Sequence, residues 1–272
     1  MTDSGSHTID IETGRRFAFG DNWARFLSVV DETRIANAVS SLKQMLEVND
    51  LSGRSFLDAG SGSGLFSLAA RRLGATVRSF DFDPHSVACT RELRRRYSTD
   101  ERGWVVEEGS VLDSTYLAQL GTFDVVYSWG VLHHTGQMWQ ALANVAERVS
   151  PGGLLFVAIY NDQGWISRYW KAVKRCYVAR PVLRWPLLLL HFPYLFGLRW
   201  LVRAATGRRR LERGMSLWHD MVDWVGGYPF EVARPEAILR FCRDRGFTLR
   251  ELKTCGGRHG CNEMVFLKSA ER

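Results

Sequence analysis

The chain is short of cysteine, and what it has is scattered. Five cysteines in 272 residues (Cys89, Cys176, Cys242, Cys255 and Cys261) are an odd number at irregular spacing, which argues against a disulfide framework and suits reduced thiols. Cys255 and Cys261 flank His259, but that spacing matches no standard zinc pattern, so the segment reads as a hairpin turn and no metal is expected. The first sixteen residues lack the apolar core of an export leader, and the sequence therefore predicts a cytoplasmic location. The apolar run at 185–198 is fourteen residues long, short of the ~20 that a bilayer requires, and it is broken by Pro186 and Pro193. Low-complexity tracts and internal repeats are missing too. What is left is a globular composition with 46% hydrophobic residues, enough for one large α/β domain or two small ones.

A glycine is also missing where one class of nucleotide site would need it. Leu57-Asp58-Ala59-Gly60-Ser61-Gly62-Ser63-Gly64 is an apolar run that stops at an acid and breaks into alternating glycines before a helical stretch. That is the pattern of a strand, a tight turn and a helix N-terminus which a ligand can approach closely. The dinucleotide fingerprint G-x-G-x-x-G, counted from Gly60, requires glycine at position 65, where the chain has Leu65; this argues against a nicotinamide or flavin oxidoreductase. A second strand at 75–80 ends at Asp81, and an acid at that place in a doubly wound sheet can accept both hydroxyls of a bound ribose. Asp83 is the rival, but Pro84 after it suits a loop leading into a helix at 87–97. A third strand at 104–106 leads to Gly109-Ser110-Val111. A fourth at 123–128 runs into Trp129-Gly130-Val131-Leu132-His133-His134, and a fifth at 153–160 follows the turn Ser150-Pro151-Gly152-Gly153. Strands separated by helical stretches predict right-handed crossovers and a parallel sheet.

Asp-x-Gly-x-Gly-x-Gly after a strand, the phrase F-D-V-V-Y-S-W-G-V-L-H-H and the phrase V-S-P-G-G-L-L-F-V, at matching intervals, together resemble class I S-adenosylmethionine (SAM)-dependent methyltransferases over residues 50–160. Weaker support comes from 235–268, where Pro235 opens a helix, Gly246 ends it, and strands at 248–253 and 263–268 follow. The resemblance implies an α/β fold with a Rossmann-like, seven-stranded, doubly wound sheet closing in an antiparallel hairpin. It also implies SAM as cofactor, with S-adenosylhomocysteine as product, held by Asp58, Gly60, Ser61, Gly62, Gly64, Asp81, Phe82, Ser110, Val111 and Trp129. Ser110 stands where the family often has an acid for the adenine amino group, so that contact would rest on the hydroxyl and on backbone amides. The N-terminal piece R-R-F-A-F-G-D-N-W (15–23) precedes an amphipathic helix at 26–46. By the resemblance it folds over the methionine part of the donor, with Phe19 and Trp23 in contact; packing of that helix on the sheet edge is the alternative.

Acidic residues are absent from 163–211, although eleven of the chain's 36 Lys/Arg lie there; the other 25 basic residues face 29 acids, so the whole positive excess sits in one insertion. Within it Trp165, Tyr169, Val173 and Cys176/Tyr177 recur at helical spacing with Arg168, Lys171, Lys174 and Arg175 largely between them, which predicts a basic amphipathic helix. Three readings stay open: peripheral contact with a membrane through 163–211 or cover for a lipid-like substrate, an ordinary helical lid, and a phosphorylated or polyanionic partner. Nucleic acid fits poorly. The chain has no consecutive prolines, and so lacks the Asn/Asp-Pro-Pro-aromatic motif of base-amino methyltransferases, and no cysteine follows a proline as in pyrimidine-carbon enzymes.

Methyl transfer to a hydroxyl or amine needs the donor held in line and a group to take the proton. His134, with His133, follows the fourth strand at the carboxyl edge of the sheet and is the candidate base; anchoring the loop is the alternative. Tyr160, Asn161, His219, Asp220, Trp224 and Tyr228 are candidates to line the acceptor pocket. The expected layout is an N-terminal helical cap (1–50), the SAM-binding α/β core (51–162), the basic apolar insertion (163–230) and the C-terminal part of the core (231–272). The place and character of the insertion resemble those of ubiquinone-pathway O-methyltransferases, which implies O-methylation of a small hydrophobic or lipid-tailed acceptor. Alternatives are a soluble metabolite or peptide as acceptor, and a non-catalytic SAM-binding subunit whose insertion meets a protein partner.

Overall fold

The computed structural model describes residues 10–11, 13–17, 27, 30–98, 101–197, 217–257 and 259–270; the side chains of 101, 194, 196, 217–220 and 223 lie outside that description. Phe19 and Trp23 are outside it as well.

The first helix, α1 (Glu32–Leu46), starts later than the periodicity from residue 26 predicts, because Asp31 takes the N-cap and its carboxylate accepts the Arg34 amide at 2.8 Å. Seven strands follow: β1 (Ser55–Ala59), β2 (Thr76–Asp81), β3 (Trp104–Glu108), β4 (Phe123–Trp129), β5 (Val149–Tyr160), β6 (Phe247–Lys253) and β7 (Cys261–Lys268). Between them lie α2 (Leu65–Arg72), α3 (Pro84–Tyr97), α4 (Ser114–Leu120) and α5 (Met138–Glu147); α9 (Pro235–Arg243) precedes β6. The sheet has the order β3-β2-β1-β4-β5-β7-β6; its first five strands run parallel, and β7 is antiparallel to both of its neighbours. This is the doubly wound sheet with a terminal hairpin that the sequence predicts.

Alternation along the strands divides the core between the two faces of the sheet. Phe56, Val77, Val125 and Phe156 pack under α1 and α2, while Leu57, Phe80, Val126 and Leu155 pack under α5 and α9. The segment 150–153 is not a free turn: β5 already pairs at Val149 with Phe123, and the extra residues form a bulge before Leu154 pairs with Val125.

The insertion contributes α6 (Trp165–Ala179), α7 (Arg184–Phe192) and α8 (Leu217–Gly226). Trp170, Val173, Tyr177, Leu188, Met221, Val225 and Phe230 form a third core of their own. The amphipathic face of α6 differs from the predicted one. Trp165 and Tyr169 are 69% and 44% exposed, whereas Trp170, Val173, Tyr177 and Lys174 are buried. The predicted stripe took Trp165 and Tyr169 as inward-facing and left out Trp170; the observed one is rotated so that Trp170 takes the inner position and a lysine comes with it.

Candidate functional site

At the carboxyl edge of β1 the chain turns through Gly60 (φ 88°) and Gly62 (φ 54°), backbone angles that side chains other than glycine rarely adopt. A Cβ on Gly60 would lie 2.4 Å from the Val131 side chain, so this glycine sets the distance between two neighbouring loops. The turn is tied to β2 by its main chain: the Gly60 and Ser61 amides donate to the Phe80 carbonyl at 2.9 and 3.0 Å. Asp81 ends β2 and accepts the Gly62 amide on Oδ2 at 2.8 Å and the Asp83 amide on Oδ1 at 2.9 Å. Each of its oxygens keeps lone-pair capacity for a further donor. Asp83 instead caps α3, accepting the His85 amide at 2.9 Å. Asp58 is buried and accepts the Ser67 hydroxyl at 2.5 Å, and Ser67 and Trp104 Nε1 both meet the Ser79 hydroxyl at 2.7 Å. Burial is the main force on both acids. It pushes Asp58 up to about 7 and Asp81 up to about 6, against the hydrogen bonds that favour their ionised forms.

These groups open onto a cavity of about 740 Å³. Asp58, Gly60, Ser61, Gly62, Asp81, Phe82, Ser110, Val111, Trp129 and His134 all line it, which brings together most of the expected cofactor-binding residues and one of the two histidines. Gly64 does not: its missing Cβ faces Thr90 at 2.8 Å, so it serves the packing of α2 on α3. The Ser110 hydroxyl accepts the Leu112 amide at 3.2 Å, turning it partly into its own loop.

Several lining residues went unnoticed in the sequence. Arg16 donates to the His134 carbonyl at 3.1 Å and sits 5.0 Å over the Phe82 ring, tying the N-terminal segment to both sides of the cavity. Burial lowers its pKa, and the charges of Asp10, Asp81 and Asp83 oppose the shift. Phe17 lies beside it, and Arg34, Asn37 and Ser41 present one face of α1 to the same space. Their spacing of three and four is a helical-face signal that was legible. Lys253 and Glu263, paired at 3.9 Å on the final hairpin, carried no such signal because neither is near the other in sequence.

The two histidines part company. His134 lines the cavity, and its Nδ1 lies 2.7 Å from the Pro229 carbonyl. A carbonyl only accepts, so Nδ1 carries the proton and Nε2 the lone pair. Burial holds the ring neutral, with its pKa down to about 3. His133 is fully buried outside the cavity wall, 4.0 Å from the Tyr160 ring, and neither ring nitrogen has a hydrogen-bond partner among the described residues. Burial drives its pKa well below the ordinary value, so it is a neutral packing residue away from the candidate acceptor space.

Of the predicted acceptor residues with described side chains, none lines the large cavity. Tyr160, Asn161 and Trp224 line a second cleft with Trp170, Phe230 and His259, whose interior of about 10 Å³ has room for about one water. Their rings fill it themselves, at centroid distances of 5.0–5.6 Å for Trp224–His259, Tyr160–Trp224 and Trp170–Trp224. Tyr228 lines neither space and packs on the core of the insertion. His219 and Asp220 lie on α8, with side chains outside the described residues.

Known proteins place this geometry in a family. A family model described as a methyltransferase domain matches residues 30–252. The ubiquinone biosynthesis O-methyltransferase of Rhizobium leguminosarum bv. trifolii is 34% identical over 139 residues, 50% of each chain. Its namesake from Xanthomonas oryzae pv. oryzae is 33% identical over 114 residues, 41% of this chain and 45% of its own. The chain thus spans about half the length of the curated relatives it matches. Among solved structures, magnesium protoporphyrin IX methyltransferase from Synechocystis PCC 6803 with bound SAH superposes with a TM-score of 0.57 at 14% identity, covering 97% of this chain and all of that one. An O-methyltransferase family protein from Burkholderia thailandensis gives 0.55 at 15% identity, covering 89% and 59%. At such identities the structures speak for the fold alone, and it is the domain match across most of the chain that decides: the chain belongs to the class I SAM-dependent methyltransferases.

Proposed function

We propose that this chain methylates a hydroxyl, or an amine, of a small hydrophobic acceptor, with His134 as the base. The observation that carries the reading is the shared cavity: the glycine turn and Asp81 lie in one part of its wall, and a histidine of fixed tautomer lies in another. Its volume of about 740 Å³ is in the range of small-molecule and cofactor sites. Asp81 would accept the ribose hydroxyls, Phe82 and Val111 would flank the base, and Arg16 would close the N-terminal segment over them. Bound SAM supplies an electrophilic methyl group on a sulfonium. The cavity wall would orient the acceptor oxygen toward it; as the new C–O bond formed and the sulfonium C–S bond broke, its electron pair returning to sulfur in S-adenosylhomocysteine, the acceptor proton, made strongly acidic by the bond forming at oxygen, would pass to the weakly basic His134 Nε2. The Pro229 carbonyl then stabilises the imidazolium through Nδ1–H. Incubation with SAM and a panel of phenolic, quinol and aliphatic hydroxyl compounds, read by mass spectrometry for a gain of one methyl group, tests the reaction class. Tight SAM binding without transfer to any hydroxyl or amine in the panel would favour a non-catalytic subunit.

The lipid-like character of the acceptor, and peripheral contact of the insertion with a membrane, belong to the same proposal. Val182, Trp185, Leu189 and Leu190 are 65–82% exposed, and Arg168, Lys171, Arg175, Arg180 and Arg184 of the same helical insertion are exposed as well. A lid evolved only to cover a site would turn these apolar side chains inward. Exposed aromatic and leucine side chains beside cations suit an anionic bilayer surface. No helix among the described residues is long and apolar enough to cross a membrane. Flotation with neutral and anionic vesicles tests the contact; absence of binding to anionic vesicles at low salt would sink it.

A further inference from the structure

Lys174 is the charge in the insertion that the proposed reaction leaves without a role. It sits on α6 with no exposed surface, amid the rings that form the third core. Its Nζ donates to the Trp224 carbonyl near the end of α8 and lies 4.6 Å from the Trp224 ring and 4.8 Å from the Phe230 ring. Burying an ammonium is costly unless its hydrogen bonds are met, and an apolar side chain would fill the same space without that cost. What an apolar side chain could not do is bond a carbonyl in the last turn of a helix, where the intrahelical partner is missing.

That turn leads directly to the histidine. Five residues beyond Trp224, Pro229 offers the carbonyl that holds His134 Nδ1. Pro229 is flanked by two further holds: the Phe17 amide donates to the Tyr228 carbonyl at 2.9 Å, and the Glu231 amide donates to the His133 carbonyl at 2.9 Å. A Cβ on Gly226 would lie 2.3 Å from the Phe17 ring and 3.1 Å from the Tyr177 ring, so the end of α8 is seated closely on the N-terminal segment and α6. Lys174 is the polar hold that the insertion itself adds to this clamp.

We propose that Lys174 is a positioning residue for methyl transfer: by fixing the Trp224 carbonyl it sets the Pro229 carbonyl, and through it the tautomer and orientation of His134. The inference rests on His134 acting as the base. It connects the insertion to the chemistry through a chain of named contacts, with Lys174 touching neither acceptor nor donor.

The test is the nitrogen spectrum of His134 in histidine-labelled full-length protein, assigned by its loss in His134→Gln and recorded for the unmutated chain, Lys174→Met and Lys174→Gln. Thermal midpoint and SAM affinity serve as controls for the fold. The unmutated protein should show the Nδ1–H tautomer. In Lys174→Met the signal should move toward a mixture of tautomers while SAM affinity stays within about twofold. Lys174→Gln, which loses the charge and retracts the donor, should move it less in the same direction. A folded variant of either kind with an unchanged His134 spectrum overturns the proposal and leaves His134 as candidate base intact. An Nε2–H tautomer in the unmutated protein would instead remove the premise, that His134 is poised as a base, and the proposal with it.

Discussion

Two hollows among the described residues are held by different kinds of bond. Around the large cavity the main chain sets the shape: amides of Gly60, Ser61, Gly62 and Asp83 are spent on Phe80 and Asp81, and positive-φ glycines keep side chains out. Around the small cleft the side chains do the holding: Trp224 packs edge to face with Trp170 and Tyr160, lies tilted against His259, and covers buried Lys174. A site shaped by backbone tolerates change in its lining while its turn residues stay fixed. A site shaped by rings has no such frame, and losing one ring removes part of its wall. The first suits an invariant ligand, the second an element that must seat itself against the rest of the chain.

Replacing the proposed base is the hardest test of that contrast. His134→Ala should slow methyl transfer by about 10²–10⁴-fold, the usual contribution of a positioned general base, with SAM affinity little changed, since the frame that holds the donor is made of other groups. Single-turnover rates together with calorimetric binding separate the two quantities. Unchanged turnover would take His134 out of the reaction and return it to the loop-anchoring role.

Asp81→Ala should cost about 100-fold in SAM affinity, the loss of two charge-assisted hydrogen bonds moderated by water entering the gap. The same carboxylate gives a pH signature. Burial raises Asp81 to about 6 and Asp58 to about 7, so between their unfolded value of 3.8 and those values the folded chain binds more protons than the unfolded chain. The unliganded protein should therefore lose stability as pH rises through that window. SAM affinity should do the opposite and weaken as pH falls below about 6, because a protonated Asp81 no longer accepts both ribose hydroxyls. Thermal midpoints with and without SAM at several pH values should show the two opposed slopes. Parallel slopes would mean that Asp81 does not carry the ribose.

How much could be read in advance follows the same division. The glycine turn, the place of Asp81 at the end of β2 and the succession of strands were legible because backbone geometry leaves few residue types that fit at the turn, and β-strand period and helix caps repeat that information locally; the closing hairpin came from the family resemblance. Pro84 pointed to the helix start that Asp83 caps, although Asp83 lines the cavity together with Asp81. The acceptor side was not legible. Tyr160, Trp224 and Tyr228 have the right chemistry for a pocket, yet the same rings are what a small helical subdomain needs for a core, and composition cannot tell the two uses apart. The predicted face of α6 failed for a related reason: a lysine inside and a tryptophan outside both run against the rule that assigns faces by polarity. Arg16 and the Lys253–Glu263 pair depend on segments far apart in sequence meeting at one cavity, which local pattern does not encode.

Within the run Leu187–Leu190 neighbouring leucines face opposite surroundings, so mutation of one against the next divides packing from surface contact. Leu188 is 5% exposed and packs on the core of the insertion; Leu188→Ala should destabilise the protein by about 2–3 kcal/mol, the usual cost of truncating a buried leucine. Denaturant midpoints at constant slope would measure it.

The smallest effect on stability carries the sharpest information about the surface. Leu189 and Leu190 are 68% and 70% exposed and Trp185 is 65% exposed, so alanine at any of the three should change folding stability by no more than about 0.5 kcal/mol. If these side chains enter a bilayer interface, the same triple change should still reduce partitioning onto anionic vesicles, because each apolar group buried there contributes on the order of 1 kcal/mol. Salt should weaken what binding remains, since the surrounding arginines act through screened charge. A folded triple variant that floats as well as the unmutated protein would show that the exposed face of α7 is not what meets the lipid. A loss of vesicle binding at unchanged stability would separate the surface of the insertion from its core, residue by residue, within a single turn of helix.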